Sequence, residues 1–395
     1  MKVLMVTRGK LPLPNIKGGA VEYLIQLLID ENEKVWHEDF TVCSLYCEGI
    51  EKEQEKYQYC NFMNINGSSI IAKLSTGIRY LVNRYVTYIG NEYISRVFKM
   101  LGDSIHSYDV IIDENGPDFL PLLRKKYKGR LVFHAHNDWL EPSDHKKINC
   151  CDEYWAISNY LAEKISSDKI KAEVKVLYNG IRLEDYTQVN DTLVERYAKQ
   201  FHIEPEDLVL VYAGRIVPEK GVYQMIQAFI QAEFQPHIKL LIVGGSFYSS
   251  GHMTNYMKKC YELAKSYSNI IFAGYVPSQE MSAVYHLGHI GFFPSLWAEA
   301  FGLSVLEMMA VGLPVITTNR GAIPEVVDAK CGVLLSPDNE TQWIAEMAHA
   351  MKQLAGDENL RTAMGAEGKK RAENFTEENY LKKFINLLYR EDEET

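Results

Sequence analysis

The chain has no uninterrupted apolar run approaching the ~20 residues that a membrane-spanning helix needs, and it enters a strand-like run directly after Met1-Lys2 with no signal-peptide pattern. Both absences lead to the expectation of a cytoplasmic protein, at most peripheral at the inner face of a membrane. A dominant basic face is also lacking: 42 Lys and Arg against 52 Asp and Glu give a net charge of −10, which argues against a nucleic-acid partner. The cysteines (Cys43, Cys47, Cys60, Cys150, Cys151, Cys260, Cys331) are odd in number, with no C-x-x-C pair and no histidines at zinc spacing. They read as free thiols, including the adjacent Cys150-Cys151. No G-x-G-x-x-G follows the first strand-like run and no G-x-x-x-x-G-K-[ST] occurs, so neither a dinucleotide nor a P-loop nucleotide is indicated.

What is present is an ordinary globular composition, 47% hydrophobic and 24% charged, in a chain of 395 residues, long enough for two domains that each bury a core. Short β-rich runs recur in two series. The first comprises Val3–Val6, Phe40–Leu45, Val110–Asp113, Leu131–His136, Tyr154–Ile157 and Val174–Leu177. The second comprises Leu208–Tyr212, Lys239–Val243, Ile270–Ala273, Ile290–Phe293, Pro314–Thr317 and Val333–Leu335. Segments with helical periodicity lie between most of them, and such alternation predicts parallel α/β sheets, here two Rossmann-like domains. The expected division is 1–182, a polar connection over 183–206 with one helical run at Leu193–Gln200, a second domain over 207–375, and a last helical segment over 376–395.

The stretch Pro294–Glu307 reads P-S-L-W-A-E-A-F-G-L-S-V-L-E, with two glutamates separated by seven residues and Phe301-Gly302 between them. A buried strand (Ile290, Phe292, Phe293) leads to Glu299, the glycine allows a tight turn, and a helix starting near Leu303 offers free N–H groups to an anion. Glu307 falls about one turn inside that helix. Amides that bind an anion, flanked by two carboxylates, suit a ligand with phosphates in its middle and hydroxyl-bearing rings at both ends, such as a nucleotide sugar. E-x-F-G-x-x-x-x-E resembles the signature of the retaining glycosyltransferases of family 4. Further matches are Gly214-Arg215 with Lys220-Gly221, Val243-Gly244-Gly245, Phe272–Val276 and Thr318–Glu325, in family order over about residues 208 to 335.

The resemblance implies a GT-B fold, two Rossmann-like domains facing a central cleft with the last helix crossing back to the first. It implies that Arg215 and Lys220 grip the donor diphosphate with the amides of Gly302, Leu303 and Ser304, that Glu307 holds ribose hydroxyls and Glu299 those of the transferred sugar, and that backbone near Tyr275 and Val276 meets the base. The expected reaction is retaining transfer of a hexose from a nucleoside-diphosphate sugar, UDP-linked by preference, to a glycan or lipid-linked acceptor of bacterial surface polysaccharide or envelope glycan. A front-face course is expected, since no carboxylate is an obvious covalent nucleophile. No cofactor is expected, and no metal, since the D-x-D motif of the other large glycosyltransferase fold is absent.

In the first half, Gly18-Gly19 precede an amphipathic helix from Val21, a pattern that brings backbone N–H groups to phosphate. In family 4 the matching loop lies against donor diphosphate or acceptor. Leu131–Trp139 carries His134 and His136 at the end of a strand run. His136, followed by Asn137-Asp138, is the better match to the family histidine near the transferred sugar. His134 shares its face and stays an alternative. The pair suggests a metal, but no third ligand is evident in the sequence. Residues 68–102 hold five basic side chains (Lys73, Arg79, Arg84, Arg96, Lys99) and one acidic (Glu92), a local +4 on an apolar stripe, which reads as contact with anionic membrane or as a helix packed on the first domain. Two other classes fit the architecture: a non-catalytic carbohydrate-binding or assembly protein, and a sugar-nucleotide 2-epimerase.

Overall fold

A computed structural model describes residues 1–66, 90–245 and 253–391. The chain divides into two compact units, Met1–Tyr178 with Leu381–Thr395, and Asn179–Tyr380. Among the described residues, each is built on one parallel sheet.

In the first unit the strands are β1 (Lys2–Val6), β2 (Asp39–Leu45), β3 (Cys60–Ile65), β4 (Val110–Glu114), β5 (Arg130–Ala135), β6 (Glu153–Ala156) and β7 (Glu173–Val176), in the spatial order β3-β2-β1-β4-β5-β6-β7. Central parallel strands are covered on both faces, which is why Val3-Leu4-Met5-Val6 is a continuous apolar run with no exposure. β3 is absent from the runs predicted from sequence. Its Cys-Asn-Phe-Met-Asn-Ile carries two asparagines, poor strand formers, and it occupies a sheet edge where they are tolerated. The helix Ala20–Glu31 buries Leu24, Ile25, Leu27 and Leu28 on one stripe. From Leu381 on, the helix Glu377–Tyr389 belongs to this unit. Phe384 stacks on Trp36 with ring centroids 5.9 Å apart and meets the edge of Trp155 at 5.7 Å. The Arg130 guanidinium donates to the carbonyls of Leu387 and Leu388 at that helix's end while pairing with buried Glu153 at 2.7 Å.

The second unit contains β8 (Leu208–Ala213), β9 (Ile238–Val243), β10 (Ile270–Gly274), β11 (Ile290–Phe293), β12 (Val315–Thr318) and β13 (Gly332–Leu335), ordered β10-β9-β8-β11-β12-β13. Residues 183–206, expected as a connection, lie in this unit and form helices Glu184–Thr187 and Asp191–Phe201, with Tyr186, Tyr197 and Phe201 buried. Arg182 pairs with Glu377 at 2.8 Å, next to a bridge between Ile181 and Thr376.

In both sheets the order reverses beside the first strand, at β1/β4 and at β8/β11. Loops at the carboxyl ends of strands diverge at such a point and leave a crevice, where open α/β sheets bind ligands. No helix among the described residues is long and apolar enough to cross a membrane. Most of the basic segment, including Lys73, Arg79 and Arg84, lies outside the described residues. Its described end, helix Glu92–Leu101, buries Tyr93, Ile94, Val97 and Leu101, and Arg96 is paired with Glu92 at 2.8 Å.

Candidate active site

At the β8/β11 switch point of the second unit, local backbone chemistry brings the charged residues together. After β8 the chain makes a 3₁₀ turn, Pro218–Lys220, closed by Gly221 at φ 65°. Only glycine fits there, because a Cβ would collide with the carbonyl oxygen of Pro294 as well as strain the backbone. The loop after β11 is tied to that turn by the N–H groups of Leu296 and Trp297, which both donate to Glu219 O, at 2.9 and 3.1 Å. Farther on, Glu299 is fixed through its backbone, its carbonyl accepting from Ala322 N–H at 2.8 Å. Lys220 Nζ thereby reaches Glu299 Oε1 at 2.6 Å, and Ser295 Oγ donates to the same oxygen. Both side chains of the ion pair are mostly buried, 16% and 14% exposed.

Gly302, at φ 102°, then opens the helix Leu303–Val311, whose N-terminus has no side-chain cap. Uncapped first-turn amides and the helix dipole favour an anion at this end. Glu307, one turn in, accepts from Tyr285 Oη at 2.7 Å and also hydrogen-bonds Tyr186. Burial raises the Glu307 pKa, and the two phenols only partly offset it. Neither tyrosine was singled out from sequence. Their contact depends on helices packing from elsewhere in the chain, and no local spacing signals it. Arg215 is exposed and makes no salt bridge among the described residues, while Tyr212 Oη donates to its backbone carbonyl at 2.8 Å. The glycine motifs meet nearby: Gly214 N–H donates to Val243 O at 3.0 Å and Gly244 N–H to Gly274 O at 2.8 Å. Val276 is buried two residues past β10 and Tyr275 exposed.

The first unit holds a second polar cluster. Parallel register sets Glu114, the last residue of β4, directly beside His134 of β5. Asn115, in the left-handed region at φ 66°, then links the strand ends, donating to His134 O at 3.0 Å and accepting from His136 N–H at 3.2 Å. His136 follows β5 on the face of His134, and the rings lie 4.0 Å apart. Glu114 Oε2 accepts from His134 Nδ1 at 3.0 Å and His136 Nε2 at 2.8 Å.

Glu114 is thus the third side chain that the sequence reading did not find beside the two histidines. Glu114, His134 and His136 each bring one ligand atom within 4.8 Å of the others, a set that a divalent cation such as zinc accepts. The carboxylate oxygen itself lies at hydrogen-bond distance from both nitrogens, which fits a hydrogen-bonded triad. Burial raises the Glu114 pKa but the two imidazoles outweigh it, leaving it at about 2. Burial, followed by His134, pulls His136 down to about 4. Asp113, fully buried, is pushed well above the carboxylate range by burial, although Gly116 N–H donates to it at 2.9 Å. Gly18 and Gly19 adopt φ 77° and 111° before the helix at Ala20. The expected anion position there is crowded by Glu22, whose carboxylate lies against Gly19 and is held by its own backbone N–H.

Residues 194–371 match the family Glycosyl transferases group 1. The match covers 178 of the 395 residues. It is 23% identical to spore coat protein SA of Bacillus subtilis over 95% of each chain. It is 30% identical to the capsular polysaccharide biosynthesis glycosyltransferase CapM of Staphylococcus aureus over 57% of this chain and 58% of that one. Among solved structures, Anabaena Alr3699/HepE in complex with UDP and glucose is similar at a TM-score of 0.72 and 18% identity, over 98% of this chain and 99% of that one. A glycosyltransferase of Rickettsia africae reaches 0.74 at 16% identity, over 100% and 99%. These likenesses establish the GT-B fold.

Proposed function

We propose that this glycosyltransferase moves a hexose-type sugar, with retention, from a UDP-sugar to a glycan or lipid-linked acceptor in surface polysaccharide synthesis. The carrying observation is the convergence of Lys220, Glu299, the uncapped helix at Leu303 and Glu307 at one sheet switch point. The pathway follows the capsular and spore-coat relatives, and the donor follows the neighbour seen with UDP and glucose.

In this reading the diphosphate lies against the amides of Gly302, Leu303 and Ser304, with Arg215 as a planar fork and Lys220 as a point charge on its oxygens. Glu307, held by Tyr285, takes the ribose hydroxyls, Glu299 the sugar hydroxyls, and backbone at Val276 the base. The bond from the anomeric carbon to the phosphate oxygen breaks as the acceptor oxygen bonds to that carbon on the same face. The acceptor's proton passes to the leaving phosphate. Negative charge grows on that phosphate, and the side-chain cations and amides supply the stabilisation without a metal. His136 holds a sugar hydroxyl, and Gly18-Gly19, with the Glu22 carboxylate beside them, lie against the acceptor. A lipid-linked acceptor would be served by the +4 segment 68–102 at an anionic membrane.

Calorimetry with UDP, GDP, ADP and dTDP tests the donor site. UDP is expected to bind, and Arg215→Ala or Lys220→Ala to weaken it by tenfold or more. No binding of any of the four would refute the assignment.

A further inference from the structure

We propose that Glu114 is a positioning residue that fixes His136 as the tautomer protonated on Nε2, so that Nδ1 presents its lone pair to a sugar hydroxyl. This rests on the reading of His136 as a sugar contact given above. An ionised carboxylate can only accept hydrogen bonds, so both ring nitrogens that touch Glu114 Oε2 must donate. A neutral imidazole donates from one nitrogen only, which leaves His136 Nδ1 and His134 Nε2 as bare acceptors. Both are buried and without a partner among the described residues. A buried polar atom with no partner is destabilising, a cost that a hydroxyl donor removes.

Two observations separate the histidines. The His134 side chain is fully buried on β5 with its ring against the edge of Trp155, whereas His136 lies past the strand's last residue, at the carboxyl edge of the sheet, and retains some exposure. His134 therefore acts as the second tether of the Glu114 carboxylate. The backbone supports the same geometry, since Asn115 holds the His136 N–H and Gly116 holds the Asp113 carboxylate. Glu114 is fully buried and held by two imidazoles, so it has little freedom to turn away. A carboxylate that orients an imidazole and selects its tautomer is a general device for setting what the other nitrogen does.

The full chain with ¹⁵N-labelled histidine tests this by NMR at neutral pH, with the His136 signals assigned by their loss in His136→Gln. The expected spectrum shows His136 protonated on Nε2 and bare on Nδ1, and Glu114→Gln should lose that single-tautomer signature because an amide both donates and accepts. With UDP-glucose as probe, Glu114→Gln should lower the turnover number about tenfold or more with UDP affinity unchanged, and Glu114→Asp, which keeps the carboxylate, should recover part of it. A wild-type His136 protonated on Nδ1 overturns the proposal even if Glu114→Gln does not fold, and so does an unchanged tautomer in a folded Glu114→Gln. Full turnover by His136→Ala would instead remove the sugar contact, and with it the role of the lone pair, while the tautomer result would stand apart.

Discussion

Lys220 and Glu299 were expected to act on different parts of the donor, but the structure joins them in one ion pair, and that coupling can be measured. Removing one member of a buried pair typically costs 3–5 kcal/mol because the other charge is left uncompensated. With side chains 16% and 14% exposed and Ser295 still donating to the carboxylate, the lower end applies. Lys220→Met should therefore cost about 3 kcal/mol, or a melting shift of roughly 6–12 °C at about 2–4 °C per kcal/mol for a unit of this size. The double variant Lys220→Met/Glu299→Gln should cost less than the sum of the singles by about 1–3 kcal/mol, the coupling of residues in contact. Ligand binding must follow the opposite order. A diphosphate that takes Lys220 has to draw it from Glu299, so Glu299→Gln should tighten UDP by up to about tenfold, or about 1.4 kcal/mol. Lys220→Met should weaken it. Urea unfolding and UDP calorimetry on the four proteins of the cycle decide the matter. Stabilities additive within about 0.5 kcal/mol, or weaker UDP binding by Glu299→Gln, would refute the reasoning.

Two further outcomes follow from buried carboxylates. The folded-state pKa of Glu307 is raised, so its contribution is most favourable below the unfolded value of 4.5 and declines as pH rises through the raised one. Glu307→Gln should remove that decline and stabilise the free protein at neutral pH while weakening UDP, as read by melting at pH 4.5 and 7.5. Glu153 is the reverse case: burial raises its pKa, but Arg130, Trp155 and Arg390 bring it down to about 2. Its stabilisation of about 3 kcal/mol, at 1.36 kcal/mol per pKa unit, is present above pH 4.5 and lost as pH falls toward 2. Glu153→Gln should flatten that acid limb, followed by fluorescence of Trp155, whose indole donates to Glu153 at 3.0 Å.

What the sequence made legible tracks how local the cause is. The apolar runs of both sheets are local, and so are Gly221 and Gly302, each placed where the chain must turn at positive φ. Those signals carry the alternation of strands and helices, the start of the helix at Leu303 and the grouping of motifs at a sheet edge. β3 escaped because its asparagines mask a strand at the sheet edge. The Lys220–Glu299 pair escaped for a different reason. It depends on two backbone amides, Leu296 and Trp297, converging on Glu219 O, and nothing in the composition of either loop announces that. Glu114 shows the same limit most clearly. In the sequence it stands 20 residues before His134 as one acid among many. Parallel register makes it His134's neighbour, and the two-residue period of the strand then puts His136 on the same carboxylate. Pairing register is fixed by which apolar faces must be buried across a whole sheet. The chemistry of these three residues is therefore a property of the assembled sheet, and any substitution that slips β4 against β5 by one position should abolish the triad while leaving all three side chains in place.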